Sequence, residues 1–286
     1  MNPYHSFVSK FARLKEEGLK LPLGALPPAP RPELPPTAPH VLIFAPHPDD
    51  ECIIGGLPLR LLREAKMKIV NVAVTLGSKK ERRQERLREL RGACEFLGFD
   101  LVPAKPDGLE AISTKTRKGR PAEWLKAVDI VAGLLRQHQP KAIFLPHEND
   151  WNSTHIGTHC LVADALFSAG ESFNCWIVQT EFWGQMSNPN LMIESSEADV
   201  ADLVAATSFH TGEVKRNPYH LLLPAWLQDN VRRGGELVGG QGAAAPNFTF
   251  ATLYRVCRWK NRRFEDAFSG GKTISVRDNP AALFSE

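Results

Sequence analysis

Apolar positions along the chain fall into short runs separated by longer stretches of helical period. Val41–Ala45, Ile69–Thr75 (IVNVAVT), Ala142–Leu145 and Trp176–Thr180 are too short for helices and suit strands buried on both faces. Leu101–Val102 predicts a further short strand and Thr249–Val256 (TFATLYRV) a late one. Between them, Ile53–Leu62 is apolar enough for a buried helix. Glu81–Leu97 sets Leu87, Leu90, Ala93, Cys94 and Leu97 on one helical face and is followed by Gly98, a common helix end. Ala122–Gln137, Thr154–Phe167, Asp199–Phe209 and Leu221–Arg233 also read as helices, and Pro106-Asp107-Gly108 as a turn. Strand and helix alternate through most of residues 41–180. That order predicts an α/β fold with a mostly parallel sheet and helices on both faces.

The chain ahead of the first strand differs. Phe7, Phe11 and Leu14 sit at helical spacing among charges, which predicts a short amphipathic helix over residues 4–18. Pro22–Pro39 holds eight prolines and reads as an extended connector. It predicts a stiff arm that packs on its own domain or on a subunit mate, so the arm is a candidate homo-oligomer contact; docking into a partner's aromatic groove is the other reading. The expected division is therefore an arm over residues 1–39 and one domain over residues 40–286.

Composition narrows the class. With 286 residues, 43% of them hydrophobic, the chain can bury a sizeable core. A net charge of +3 argues neither for nor against nucleic acid. The basic stretch Lys79–Arg91 is interleaved with Glu81, Glu85 and Glu89, which fits a salt-bridged solvated helix face, so no nucleic-acid partner is expected. The five cysteines are scattered and form no Cys-x-x-Cys pair, as in a reduced, cytoplasmic protein. The first residues contain no apolar signal core and no run of eighteen apolar residues occurs, so neither signal peptide nor membrane span is expected.

Two polar clusters remain, each where a strand gives way to a helix. In Pro46-His47-Pro48-Asp49-Asp50-Glu51 the prolines hold His47 in an extended turn ahead of three carboxylates. Adjacent carboxylates beside a buried strand repel each other and call for a compensating cation. An imidazole with carboxylate oxygens is a usual ligand set for zinc, and a neighbouring acid can stay free to take a proton. Capping of the next helix accounts for one acid but not for three, nor for His47. The second cluster, Pro146-His147 through His159, carries His155 and His159 four apart on one helix face. In open parallel sheets, sites form at such strand ends.

The motif APHPDDE after an apolar strand, followed by a His-bearing loop-to-helix segment, resembles the LmbE-like, PIG-L type family of zinc-dependent N-deacetylases. The resemblance runs from Val41 to the C-terminal helices. It implies a Rossmann-like three-layer sandwich, one zinc ion per chain, and removal of acetyl groups from N-acetylglucosaminyl conjugates or related amides. By that resemblance His47 and Asp50 are metal ligands and Asp49 is the general base. The third ligand is the last His of an H-P-D-H element, which here reads Asn152-Ser153-Thr154-His155 and so implies His155. His159 falls on a second, non-ligating His. Arg86, in an R-x-x-E pattern with Glu89, is implied to face substrate, and Asp107 to bind sugar hydroxyls. Asn152 stands where relatives carry a His that steadies the tetrahedral intermediate; its amide can still donate to an oxyanion, and His147 or His210 are further candidate proton donors. The implied reaction is attack of a metal-activated water on the amide carbonyl after Asp49 takes its proton. Three other readings stay open: hydrolysis of a non-sugar amide, a catalytically inactive binding protein on the same fold, and nucleic-acid binding.

Overall fold

The computed structural model describes residues 2–285. The first strand, β1 (His40–Ala45), is buried on both sides: Val41, Ile43 and Ala45 feed one core, Leu42 and Phe44 the other. This is why its sequence is continuously apolar rather than alternating. A helix, α1 (Tyr4–Gly18), precedes it and buries none of its residues; Tyr4, Phe7, Val8, Phe11 and Leu14 are all exposed. The proline-rich run then lies along the body of the same chain. Ala29 N–H donates to Phe96 O, Gly24 N–H to Ser208 Oγ, and Arg31 pairs with Asp100 at 2.7 Å.

After β1 come α2 (Asp50–Ile53), α3 (Gly56–Arg63), β2 (Lys68–Ala73), α4 (Arg83–Leu97), β3 (Asp100–Pro103), α5 (Thr114–Gly119), α6 (Pro121–His138), β4 (Ala142–Pro146), α7 (Ser153–Ala169) and β5 (Cys175–Thr180). The remainder is β6 (Leu191–Ser195), α8 (Glu197–Thr207), α9 (Thr211–Val214), α10 (Leu223–Gly239), β7 (Phe250–Lys260), β8 (Arg263–Asp266) and β9 (Lys272–Ile274). The sheet runs β3-β2-β1-β4-β5-β7-β6-β9, with β8 paired to β7. From β3 to β5 every pairing is parallel, whereas β7 is antiparallel to both β5 and β6. Residues of α3, α4, α8 and α10 pack on one face and those of α6 and α7 on the other. The expected three-layer α/β sandwich is therefore present. No helix is long and apolar enough to cross a membrane among the described residues.

One expected helix is broken. Of the run expected as a single helix over Ile53–Leu62, Ile53 ends α2 and Gly56–Leu62 lie in α3, with the two parted at Gly55, which has φ +87°. A Cβ at Gly55 would come within 2.0 Å of Thr252 Oγ1. The break lets α2 follow the polar turn while α3 buries Leu57, Leu59, Leu61 and Leu62, each worth roughly 1.5–3 kcal/mol. Gly55→Ala combines left-handed strain of ~1–2 kcal/mol with overpacking of ~1–3 kcal/mol. It is expected to lower the melting temperature by several degrees; a wild-type midpoint in thermal denaturation would show that Gly55 does not set the break.

Candidate metal centre and active site

Strands β1 and β4 are parallel neighbours, and each ends at the same edge of the sheet. The chain leaves β1 towards β2 on one side and β4 towards β5 on the other, so a crevice opens between the two ends. Both polar clusters lie there. His47 Nδ1 is 3.4 Å from Asp50 Oδ2, His155 Nε2 is 3.3 Å from the same oxygen, and the two ring nitrogens are 3.2 Å apart. Asp50 and His155 have no exposed side-chain surface, while the His47 side chain is 21% exposed and so gives the group one open side.

The donor set fits a divalent cation. Asp50 Oδ2 accepts the His47 backbone N–H at 2.8 Å, but Oδ1 is buried with no hydrogen-bond partner. A buried acceptor left unsatisfied is costly, and a bound cation would relieve it. Burial alone would raise the Asp50 pKa; the imidazoles, His155 foremost, outweigh it and hold the carboxyl well below its usual range. Burial alone would lower His155, yet Asp50 and Asp150 carry it up to about 10. That pull marks a point where positive charge is wanted, met by a proton or by a cation that displaces it.

Asp150 escaped the sequence reading. Its Oδ2 lies 3.2 Å from His155 Nδ1, so it accepts the Nδ1 proton and leaves Nε2 facing Asp50. Its carboxylate also accepts the Asn152 N–H at 2.8 Å and the Gly184 N–H at 3.4 Å. Asn152 itself caps α7: its Oδ1 accepts the N–H groups of Thr154 at 2.9 Å and His155 at 3.4 Å. The helix that carries His155 therefore starts from Asn152, and the amide oxygen is committed to that task.

Asp49 adjoins this cluster in a strained conformation, with φ +113°. Its N–H donates to Glu51 Oε2 at 3.0 Å and its Oδ2 accepts the Tyr219 hydroxyl at 2.6 Å. Burial first, then the Asp50 charge, pushes its pKa up to about 6. Arg86 Nη2 donates to Pro48 O at 2.7 Å and stands 4.0 Å from Asp49 Oδ1. A cavity of about 250 Å³ opens on this spot, walled by His47, Asp49, Arg86, Glu213, Tyr219 and Trp183. The Trp183 and Tyr219 rings meet edge to face, 5.2 Å between centroids. Nothing in the local sequence around Trp183, Glu213 or Tyr219 marks them, because only the tertiary fold carries them to the crevice.

The other candidates lie elsewhere. Asp107 is exposed, accepts from Gln84 Nε2 at 3.2 Å and does not line this cavity. His147 Nε2 is 2.9 Å from Gly184 O and His159 Nδ1 2.8 Å from Pro146 O, so both rings donate to backbone. His210 Nε2 pairs with Glu51 Oε1 at 2.8 Å, buried beside Asp49. Cys52 Sγ donates to the same oxygen at 3.1 Å. Burial pushes the Cys52 thiol well up, which keeps it protonated. These contacts join Glu51 Oε1, Cys52 Sγ and His210 Nε2 to one another, while His210 Nδ1 is buried without a hydrogen-bond partner.

A mostly parallel sheet with a His–Asp–His cluster and a neighbouring carboxylate at its switch point makes an α/β fold with a candidate metal site. Residues 42–166 match the family model described as PIG-L, GlcNAc-PI de-N-acetylase. That stretch, which contains His47, Asp50 and His155 together with Asp49 and Arg86, is thus similar to the PIG-L (LmbE-like) family, and the match supports a hydrolytic enzyme of the N-deacetylase class. No curated protein matches it in sequence. Among solved structures it resembles the conserved protein TT1542 from Thermus thermophilus, at 19% identity and TM-score 0.57 over 75% of this chain and 92% of that one. It also resembles N,N'-diacetylchitobiose deacetylase from Pyrococcus horikoshii, at 16% and 0.54 over 90% and 94%. A third is GalB, the 4-carboxy-2-hydroxymuconate hydratase from Pseudomonas putida, at 16% and 0.55 over 76% and 95%. At such identities these three establish the fold.

Two outcomes follow from the geometry. Asp150→Asn is expected to weaken divalent-metal affinity by ~10–100-fold, since the partner that orients a ligating imidazole is altered; metal titration by calorimetry checks this, and unchanged affinity would contradict it. Asn152→Ala is expected to cost ~1 kcal/mol of stability through the lost cap, read as a lower urea midpoint.

Proposed function

We propose that the chain is a zinc-dependent N-deacetylase that hydrolyses the N-acetyl amide of a glucosamine-type sugar conjugate. The observation that carries this reading is the convergence of His47, Asp50 and His155 on one point, with Asp49 beside them on the cavity wall. The family match supports the hydrolysis, and the diacetylchitobiose activity of the P. horikoshii relative supports a sugar amide.

His47, Asp50 and His155 would hold the ion. When bound, zinc supplies Lewis-acid polarisation of the amide carbonyl and acidification of water. Asp49 acts as general base: Tyr219 fixes one carboxylate oxygen by its hydroxyl and Glu51 fixes the backbone, so the carboxylate meets the substrate in one orientation. Once Asp49 has taken a proton it can return it to the departing amine. Arg86 stands on the same wall and can donate to substrate oxygens. Asn152 serves by starting the helix that presents His155. Asp107, which does not line the cavity, is given no role in this reading.

The test is acetate release from a panel of N-acetylated sugars by the zinc-loaded protein, with metal content measured alongside. Asp49→Asn is expected to keep its metal and lose ~10²–10⁴-fold in turnover. His47→Ala is expected to lose the metal itself. Near-wild-type turnover in Asp49→Asn would overturn its role, and acetate release from no sugar would overturn the substrate assignment.

A further inference from the structure

A second cavity, of about 260 Å³, lies against the first and shares the side chains of Arg86, Glu213 and Arg216 with it. Its other walls include Gly77, Ser78, Lys79 and Arg82. Four cations thus line it against one lining carboxylate. Arg82 Nη1 pairs with Glu213 Oε1 at 2.8 Å, and Arg216 pairs with the other oxygen of the same carboxylate. Behind the wall, Glu85 stands 3.6 Å from Arg82, and Asp49 is 4.0 Å from Arg86 on the side of the first cavity. Lys79 is exposed and makes no ion pair among the described residues. Arg82 Nη2 and Arg86 Nε are buried without a hydrogen-bond partner, and Glu89, whose charge also acts on Arg82, keeps one unpartnered oxygen behind the wall. Access is built into the turn as well. Gly77, at φ +88°, leaves the space that Arg86 occupies: a Cβ there would lie 2.5 Å from Arg86 Nη1.

Guanidinium and ammonium groups gathered around one polar cavity match a tetrahedral or planar oxyanion, to which arginine presents a fork of parallel donors. The Arg216 side chain is 75% exposed, so it can turn from Glu213 to an incoming anion without unpacking the fold. We propose that the cavity lined by Ser78, Lys79, Arg82, Arg86 and Arg216 is a subsite for a phosphate or carboxylate carried by the substrate, so that the enzyme prefers acidic N-acetylated sugars to neutral ones. The inference rests on the deacetylase reading for its substrate, while the anion site itself can be measured without turnover.

The experiment has a binding arm and a turnover arm, both on the zinc-loaded full chain. In the first, glucosamine 6-phosphate, muramic acid and glucosamine are titrated by calorimetry. At least one of the two anionic ligands is expected to bind tenfold or more tightly than glucosamine, because a charge-assisted contact is worth about a decade in affinity. The one preferred tells phosphate from carboxylate. That preference should fall with added salt and shrink about tenfold in Lys79→Gln and in Arg82→Gln. Lys79→Gln, at an exposed and unpaired position, keeps the test sound if Arg82→Gln fails to fold. In the second arm, kcat/KM for acetate release is compared between N-acetylglucosamine and its 6-phosphate and between N-acetylglucosamine and N-acetylmuramic acid, with the same ranking expected. Equal affinities for all three ligands, or a preference that survives both substitutions, would overturn the subsite; acetate release from the neutral sugar would then leave the deacetylase reading standing. A Lys79-dependent preference without acetate release from any sugar would uphold the subsite and overturn the deacetylase reading instead.

Discussion

A carboxylate with no exposed surface, Asp50, sits between two imidazoles at the end of a buried strand, and the surrounding structure is arranged to tolerate its charge. Burying such a group is affordable only with opposite charge or several donors close by. The His47 backbone N–H, His47 Nδ1 and His155 Nε2 approach one oxygen, and the other oxygen remains without a partner. The neighbouring acids are handled separately. Glu51 is tied to His210 and to the Asp49 N–H, and Asp49 to Tyr219. Each carboxylate of the Asp-Asp-Glu run therefore has its own partners, although the Asp50 charge still raises the Asp49 pKa.

The family match ends at residue 166, and the division of labour follows that line. Within it lie the clustered His47, Asp50 and His155, Asp49 and the helix bearing Arg86. Beyond it lie Trp183, Glu213, Arg216 and Tyr219, which shape the cavity. The late segment from α8 to α10 packs back over α2, α3 and α4, and this long-range packing brings Tyr219 to Asp49 across 170 residues of chain. Candidate reactive groups thus sit on the parallel half and the cavity walls come from later segments, so the two can vary separately.

Much of this was legible in the chain. The β1 and β4 runs are apolar on both faces, so their length and their place before polar turns located the crevice without reference to tertiary contacts. His47, Asp49 and Asp50 are adjacent in sequence and were therefore visible together. Asp150 was not, although it lies within the second cluster: its role depends on the turn that points it at His155 Nδ1, which spacing does not encode. Asn152 could be read as an oxyanion donor or as a cap; its Oδ1, directed at the first turn of α7, makes it a cap, a task that does not engage the side-chain N–H. The single helix expected over Ile53–Leu62 failed because the contact at Gly55 comes from Thr252, almost two hundred residues away. The short strands β6, β8 and β9 carry too few residues for a period-two pattern and exist by pairing with β7 or with one another.

The central claim is that His47, Asp50 and His155 jointly hold one divalent ion, and the neighbouring Glu51–Cys52–His210 group does not. X-ray absorption at the metal edge of the purified protein tests it most directly, because oxygen and nitrogen ligands near 2.0–2.2 Å are resolved from sulfur near 2.3 Å. The account predicts one metal equivalent per chain with only oxygen and nitrogen neighbours, two of them imidazoles. A sulfur neighbour at about 2.3 Å, or a protein that binds no divalent metal, would contradict it.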